Sequence, residues 1–175
     1  MMSMSSPDNK KTGSIPVTLY GMMLALALVL SYLETMIPVP FAVPGMKWGL
    51  PNLVTVLLLY TRGPVPALSI NLMRILVSGF LFGGLSAILF SLSGALLSFA
   101  GMLLLKRLPC FSAAGVSCAG GILHNIGQTA CAAWIVKTYS VWYFVPPLLI
   151  AGAITGFLLG IISLRLLPLM KRFLH

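Results

Sequence analysis

Acidic residues are almost missing from this chain: among 175 residues there are two, Asp8 and Glu34. Chemistry that needs paired carboxylates, or an acid-rich magnesium site, cannot be assembled from them. Charge of either sign is scarce at 7% of residues, against roughly 25% in a soluble domain. That leaves too little polar surface to cover a water-soluble globule. Cys110, Cys118 and Cys131 show no CxxC or other metal spacing, and read as small apolar fillers. No GxxxxGK[ST] sequence occurs, so an ATP-driven step would belong to other subunits. The net charge of +9 is spread between apolar runs rather than gathered on one face, which is not a nucleic-acid footprint. No metal centre, cofactor or catalytic residue is expected.

What the chain does have is apolar sequence, 59% of it. The expected fold is all-α, a polytopic membrane bundle of about six transmembrane helices. Residues 1–14 form a polar tail, 15–168 a single transmembrane domain and 169–175 a basic tail. A retained first helix covers about 17–37, too long for the apolar core of a signal peptide. It carries two small-residue pairs, Gly21/Ala25 and Ala27/Ser31, which suit close approach of a partner helix. A hydrophobic loop rich in Pro and Gly follows, with Phe41, Lys47 and Trp48, and is expected to fold back as a lid on the outer side. Residues 51–61 make an apolar run of only about 17 Å as a helix, short of the roughly 30 Å bilayer core. A third helix over 64–82 sets Asn71, Arg74 and Ser78 on one face. Gly83-Gly84 breaks it, and a fourth covers 85–105 with Ser91, Gly94, Ser98 and Gly101 in one stripe. An aromatic cluster at 139–143 suits the membrane interface. The last helix spans about 144–167, with Gly152, Gly156, Gly160 and Ser163 at packing intervals and Pro168 closing it.

The most informative stretch is 112–137. It is long enough to cross a membrane, yet His124, Asn125 and Gln128 fall near its centre. Such side chains are costly in hydrocarbon and normally face a bundle interior or a cavity. At helical spacing Ser117, Gly121, His124, Gln128 and Cys131 share one stripe. The helix reads as the wall of a binding site, with interhelical hydrogen bonding as the structural alternative. On an ideal helix Asn125 is rotated by about 100° from His124, so the two need not share a pocket. Arg74 near mid-depth needs an anion or several acceptors. Glu34 could supply the charge as an ion pair, or a ligand could. Lys47 is either part of that site or a snorkelling lysine. If both cations face one cavity, an anionic ligand is favoured.

Lysine and arginine set the topology. With six crossings and the amino terminus inside, the inner segments hold eight of them and the outer segments Lys47 and Lys137 alone. Both termini are therefore expected on the cytoplasmic side of a bacterial membrane.

Glu34, the segment Pro44-Gly45-Met46-Lys47-Trp48-Gly49-Leu50-Pro51-Asn52, Arg74, Ser91-Leu92-Ser93-Gly94, Gly115-Val116-Ser117 and His124-Asn125-Ile126-Gly127-Gln128 together resemble the bacterial Gx transporter family. That family is also named heptaprenyl diphosphate synthase component I. The resemblance covers roughly residues 17–165. Its layout is similar to the S components of energy-coupling factor transporters. It implies a membrane subunit that binds a small nutrient or cofactor precursor and works with a transmembrane T subunit and ATPase subunits. Gly21, Ala25, Ala27 and Ser31 would then meet the T subunit. Glu34, Lys47, Asn52, Arg74, His124, Asn125 and Gln128 would line the site. The other name implies a different role: a non-catalytic membrane partner of a prenyl synthase catalytic subunit. Prenyl elongation uses aspartate-rich motifs, and this chain's one aspartate lies in its tail.

Overall fold

A computed structural model describes residues 17–37, 49–137 and 139–174. The described residues are helical almost throughout. In order they form α1 (Val17–Met36), α2 (Asn52–Thr61), α3 (Pro64–Ser78), α4 (Leu85–Lys106), α5 (Ala113–Val136) and α6 (Val145–Leu174). A π-helical turn, Gly79–Gly83, continues α3, and a 3-10 segment, Tyr139–Phe144, precedes α6. The lid-like loop centred on Lys47 and the 1–14 tail lie outside the described residues.

The expected third helix over 64–82 is thus split at Ser78. Wider π spacing carries the chain to Gly84, whose φ of 86° few side chains tolerate. The last helix is longer than expected. It contains Pro168 rather than ending at it, and runs on through the segment read as a basic tail to Leu174. Proline lacks an N–H, so the helix carries that position with one backbone bond fewer. Pro146 and Pro147 sit in its first turn, where N–H groups have no partner within the helix.

Helix α2 is the centre of the molecule. It has ten residues, and Val54 to Leu59 are buried without interruption. A helix apolar on every side has no face to offer water. It packs against α3 and α6, and more lightly against α1 and α5. Its Val54, Val56, Leu58 and Leu59 join Ala27, Ala67, Ile70, Phe99, Met102 and Val116 in the main core.

Helices α4, α5 and α6 form the most closely packed unit, with α5 between the other two. Glycine permits that closeness. A Cβ on Gly156 would stand 2.6 Å from the Ser117 carbonyl oxygen, and one on Gly127 would stand 2.8 Å from the Gly94 Cα. Helix α1 packs on α3 and leaves Met22, Leu26, Val29 and Leu33 exposed. Four helical stretches are long and apolar enough to cross a membrane: Val17–Met36, Pro64–Gly83, Leu85–Lys106 and Trp142–Arg172. Helix α5 has the length, but its central polar residues lower its apolarity, and α2 is too short.

The two small-residue pairs of α1 separate. Gly21 and Ala25 are exposed, and a Cβ on Gly21 meets nothing within 4 Å. Ala27 and Ser31 are buried at 2% and 6% exposure. Of the four residues expected to meet a T subunit, Gly21 and Ala25 are open on the surface, whereas Ala27 and Ser31 are covered by the chain itself. Ala25 and Ala27 are two residues apart, about 200° around a helix, and cannot lie on one face.

Candidate functional site

Above the start of α2 the bundle leaves a cavity of about 40 Å³, space for a few water-sized groups. It borders the start of α2 at Pro51 and Asn52. All six helices contribute to the wall. Glu34 comes from α1, Asn52 from α2, Asn71 and Arg74 from α3, and Ser91 and Ser98 from α4. His124 and Asn125 come from α5 and Thr155 from α6.

Each polar side chain is held from its own element. Arg74 is buried and donates from Nη2 to Asn71 Oδ1 at 2.6 Å, one helical turn away. Its Nε–H is also buried, with no acceptor among the described residues. Leaving such a group unsatisfied is costly. Glu34 is buried near the end of α1 and accepts the Gly49 backbone N–H. That bond ties the two ends of the 38–48 segment together. It also sets a carboxylate by the start of α2, where the helix dipole favours negative charge. The Glu34 and Arg74 charges act on each other across the cavity wall.

On α5, the Asn125 amide donates to the Leu148 carbonyl of α6 at 2.6 Å, while Thr129 donates to the Asn125 carbonyl at 2.8 Å. Asn125 therefore joins helices as well as lining the cavity. His124 lies against α4 at Gly94, where a Cβ would stand 2.7 Å from the His124 carbonyl oxygen and 3.0 Å from its ring Cε1. Ser93 adds a bond across the same seam, from its hydroxyl to the Gly127 carbonyl at 3.1 Å.

Of the seven residues expected at the site, Glu34, Asn52, Arg74, His124 and Asn125 line this one cavity. Gln128 is buried but is not among the lining residues; its Cγ would lie 2.8 Å from a Cβ on Gly94, in the α4–α5 seam. The helix rises about 5.4 Å per turn, and that turn carries Gln128 past the cavity and into the contact with α4. Lys47 falls outside the described residues. His124 and Asn125 do share the pocket, because α5 is lined on one side by α4 and on the other by α6, and the cavity reaches both sides. Ser91, Ser98 and Thr155 also line it, although spacing marked the two serines only as a packing face. A hydroxyl every seven residues on an otherwise small-residue stripe was the available signal. The described lining holds one cation and one anion, a balance suited to a polar or singly charged group.

A family model for heptaprenyl diphosphate synthase component I matches residues 23–166. The chain belongs to the heptaprenyl diphosphate synthase component I family. All the cavity residues named above fall within the span matched to the family, whereas Gly21 precedes it. The family's description agrees with the second of the two roles considered, a component of the synthase, and carries no transporter term. No curated protein and no solved structure matches the chain.

Proposed function

We propose that this chain is a non-catalytic, membrane-embedded binding subunit whose cavity takes the anionic or polar head group of a small, amphipathic molecule. The observation that carries the reading is Arg74: a buried guanidinium on a cavity wall with an N–H still to place. A carboxylate or phosphate oxygen satisfies it with a charge-assisted bond. Asn52, Ser91, Ser98 and His124 supply further donors and acceptors around the same space. The cavity's small volume suits a head group. Four helices reach spanning length; with α5 as a fifth passage and α2 as a partial one, the lysine and arginine distribution favours both termini on the cytoplasmic side.

The family match favours one assembly, with a prenyl synthase catalytic subunit at the membrane. In it this chain holds a prenyl-type substrate or product, and its partner does the metal-dependent chemistry for which this chain, with Asp8 and Glu34 alone, has too few acids. The transporter assembly, with a T subunit and ATPase subunits, is supported by the resemblance in layout and by the exposed Gly21/Ala25 face of α1.

Native mass spectrometry of the protein drawn gently from its own membranes tests both levels. A stoichiometric small molecule, lost in Arg74→Gln while the protein stays folded, is the expected result. A chain that carries no such molecule, or keeps it unchanged without Arg74, would count against the cavity reading. A co-purifying prenyl synthase places it in the first assembly, ATPases in the second.

A further inference from the structure

The other end of α2 carries a second gathering of charge. The N–H groups of Arg62 and Gly63 both donate to the Leu58 carbonyl, at 2.8 and 3.1 Å. Lys106, the last residue of α4, donates from Nζ to the Leu59 carbonyl at 2.6 Å and lies 4.9 Å from the Tyr60 ring centre. A helix that stops inside a bundle needs such a cation at its carbonyl end. Lys171 on α6 follows Met170, which packs at the same cluster as Tyr60. Helices α2 and α6 meet there through Leu57 and Leu167, with Tyr60 and Met170 at the edge of that cluster.

Nothing described at this end balances the three cations. Glu34 is the one acidic residue described, and it lies beyond the far end of α2, about 15 Å away along a ten-residue helix. Asp8 falls outside the described residues. Lys106 is engaged by a neutral carbonyl. Arg62 is half-buried, and no described residue accepts its Nε–H. Lys171 is exposed.

We propose that Arg62, Lys106 and Lys171 form a second anion site, which takes the phosphate of an anionic phospholipid. The position argues for a lipid. The cluster lies where the apolar stretch of α4 ends at Lys106, the level at which a membrane presents its phosphates. The chemistry also fits: Arg62 has an N–H to place and follows the helix end whose Leu59 carbonyl holds the Lys106 ammonium, Lys171 is exposed, and guanidinium and ammonium groups favour phosphate oxygens. The site is separate from the cavity and does not depend on what the cavity binds.

The test is lipid retention in detergent, read by native mass spectrometry, with phosphatidylglycerol and phosphatidylcholine as probes. The wild-type chain is expected to keep one phosphatidylglycerol under conditions that strip phosphatidylcholine. Arg62→Gln with Lys171→Gln is expected to weaken that preference about thirtyfold, the sum of two basic residues acting at a membrane surface. Lys171→Glu alone, at an exposed position, keeps the test open if changing Arg62 disturbs folding, and is expected to weaken it at least about fivefold, the effect of one lost positive charge. Arg165→Gln is the control: Arg165 is exposed on α6, about 240° around the helix from Lys171, and its loss is expected to leave the preference intact. Equal retention of both lipids, an unchanged preference in the Lys171 and double variants, or the same loss in Arg165→Gln would overturn the proposal. Complete displacement of the lipid by millimolar inorganic phosphate would overturn it too, assigning the site to a soluble anion.

Discussion

At the scale of single residues, the buried Arg74 and the half-buried Lys106 have different tasks. Arg74 faces a space, and Lys106 closes a helix. Arg74→Gln is expected to lose the cavity ligand while far-UV circular dichroism and size-exclusion profiles stay those of the wild type. Lys106→Met is expected to do the reverse. It strips the Leu59 carbonyl of its donor and should cost about 1–3 kcal/mol of stability, read as a lower melting temperature in detergent with ligand binding preserved. Gln128→Leu, which changes the α4–α5 seam, is expected to leave ligand affinity unaltered. Much of the site was legible residue by residue. Polar side chains inside apolar runs are few, and the cost of burying them marked Glu34, Arg74, His124 and Asn125. Gln128 was misplaced because a stripe on one helix does not say which neighbour it meets at each level. Asn71 was seen on the face of Arg74, but its hydrogen bond to that side chain is a fact of rotamer, not of spacing.

At the scale of elements, the six apolar runs became six helices with ends close to those expected. The short run after the proline-rich loop became a helix of ten residues. The differences lie where local signals compete. Gly83-Gly84 marked a break, but the chain had already widened into a π turn at Gly79. Pro168 read as a terminator, but the apolar and basic residues after it keep helical order through Leu174. Small-residue spacing on α4 and α6 predicted close packing, and the packing of both on α5 is close enough to test. Gly156→Ala would press a methyl group against the Ser117 carbonyl, and is expected to destabilise the protein by about 1–3 kcal/mol. Gly21→Ala meets open space and is expected to leave the melting temperature unchanged. If Gly21→Leu is also silent for folding yet prevents co-purification of a membrane partner, the outer face of α1 is the contact surface.

At the scale of the whole molecule, charge placement makes one prediction about orientation. Arg62, Lys106, Arg107, Arg165, Lys171 and Arg172 all belong to segments assigned to the inner side. Cys110 lies among them in the α4–α5 link and is exposed. With Cys118 and Cys131 changed to Ala, Cys110 is expected to resist a membrane-impermeant thiol reagent in intact spheroplasts and to react after lysis. Reaction before lysis would invert the assignment. The short central helix has a further consequence. On the proposed reading, an anion that comes to rest above Asn52 stops part-way through the insulating layer and so samples part of the membrane voltage. Moving one charge through the whole of 100 mV is worth about 2.3 kcal/mol, so half-depth is worth roughly 1 kcal/mol. With the cell interior negative, an anion entering from outside is held less tightly as the potential rises. A helix of ten residues in place of twenty would thereby make affinity depend on the energised state of the cell.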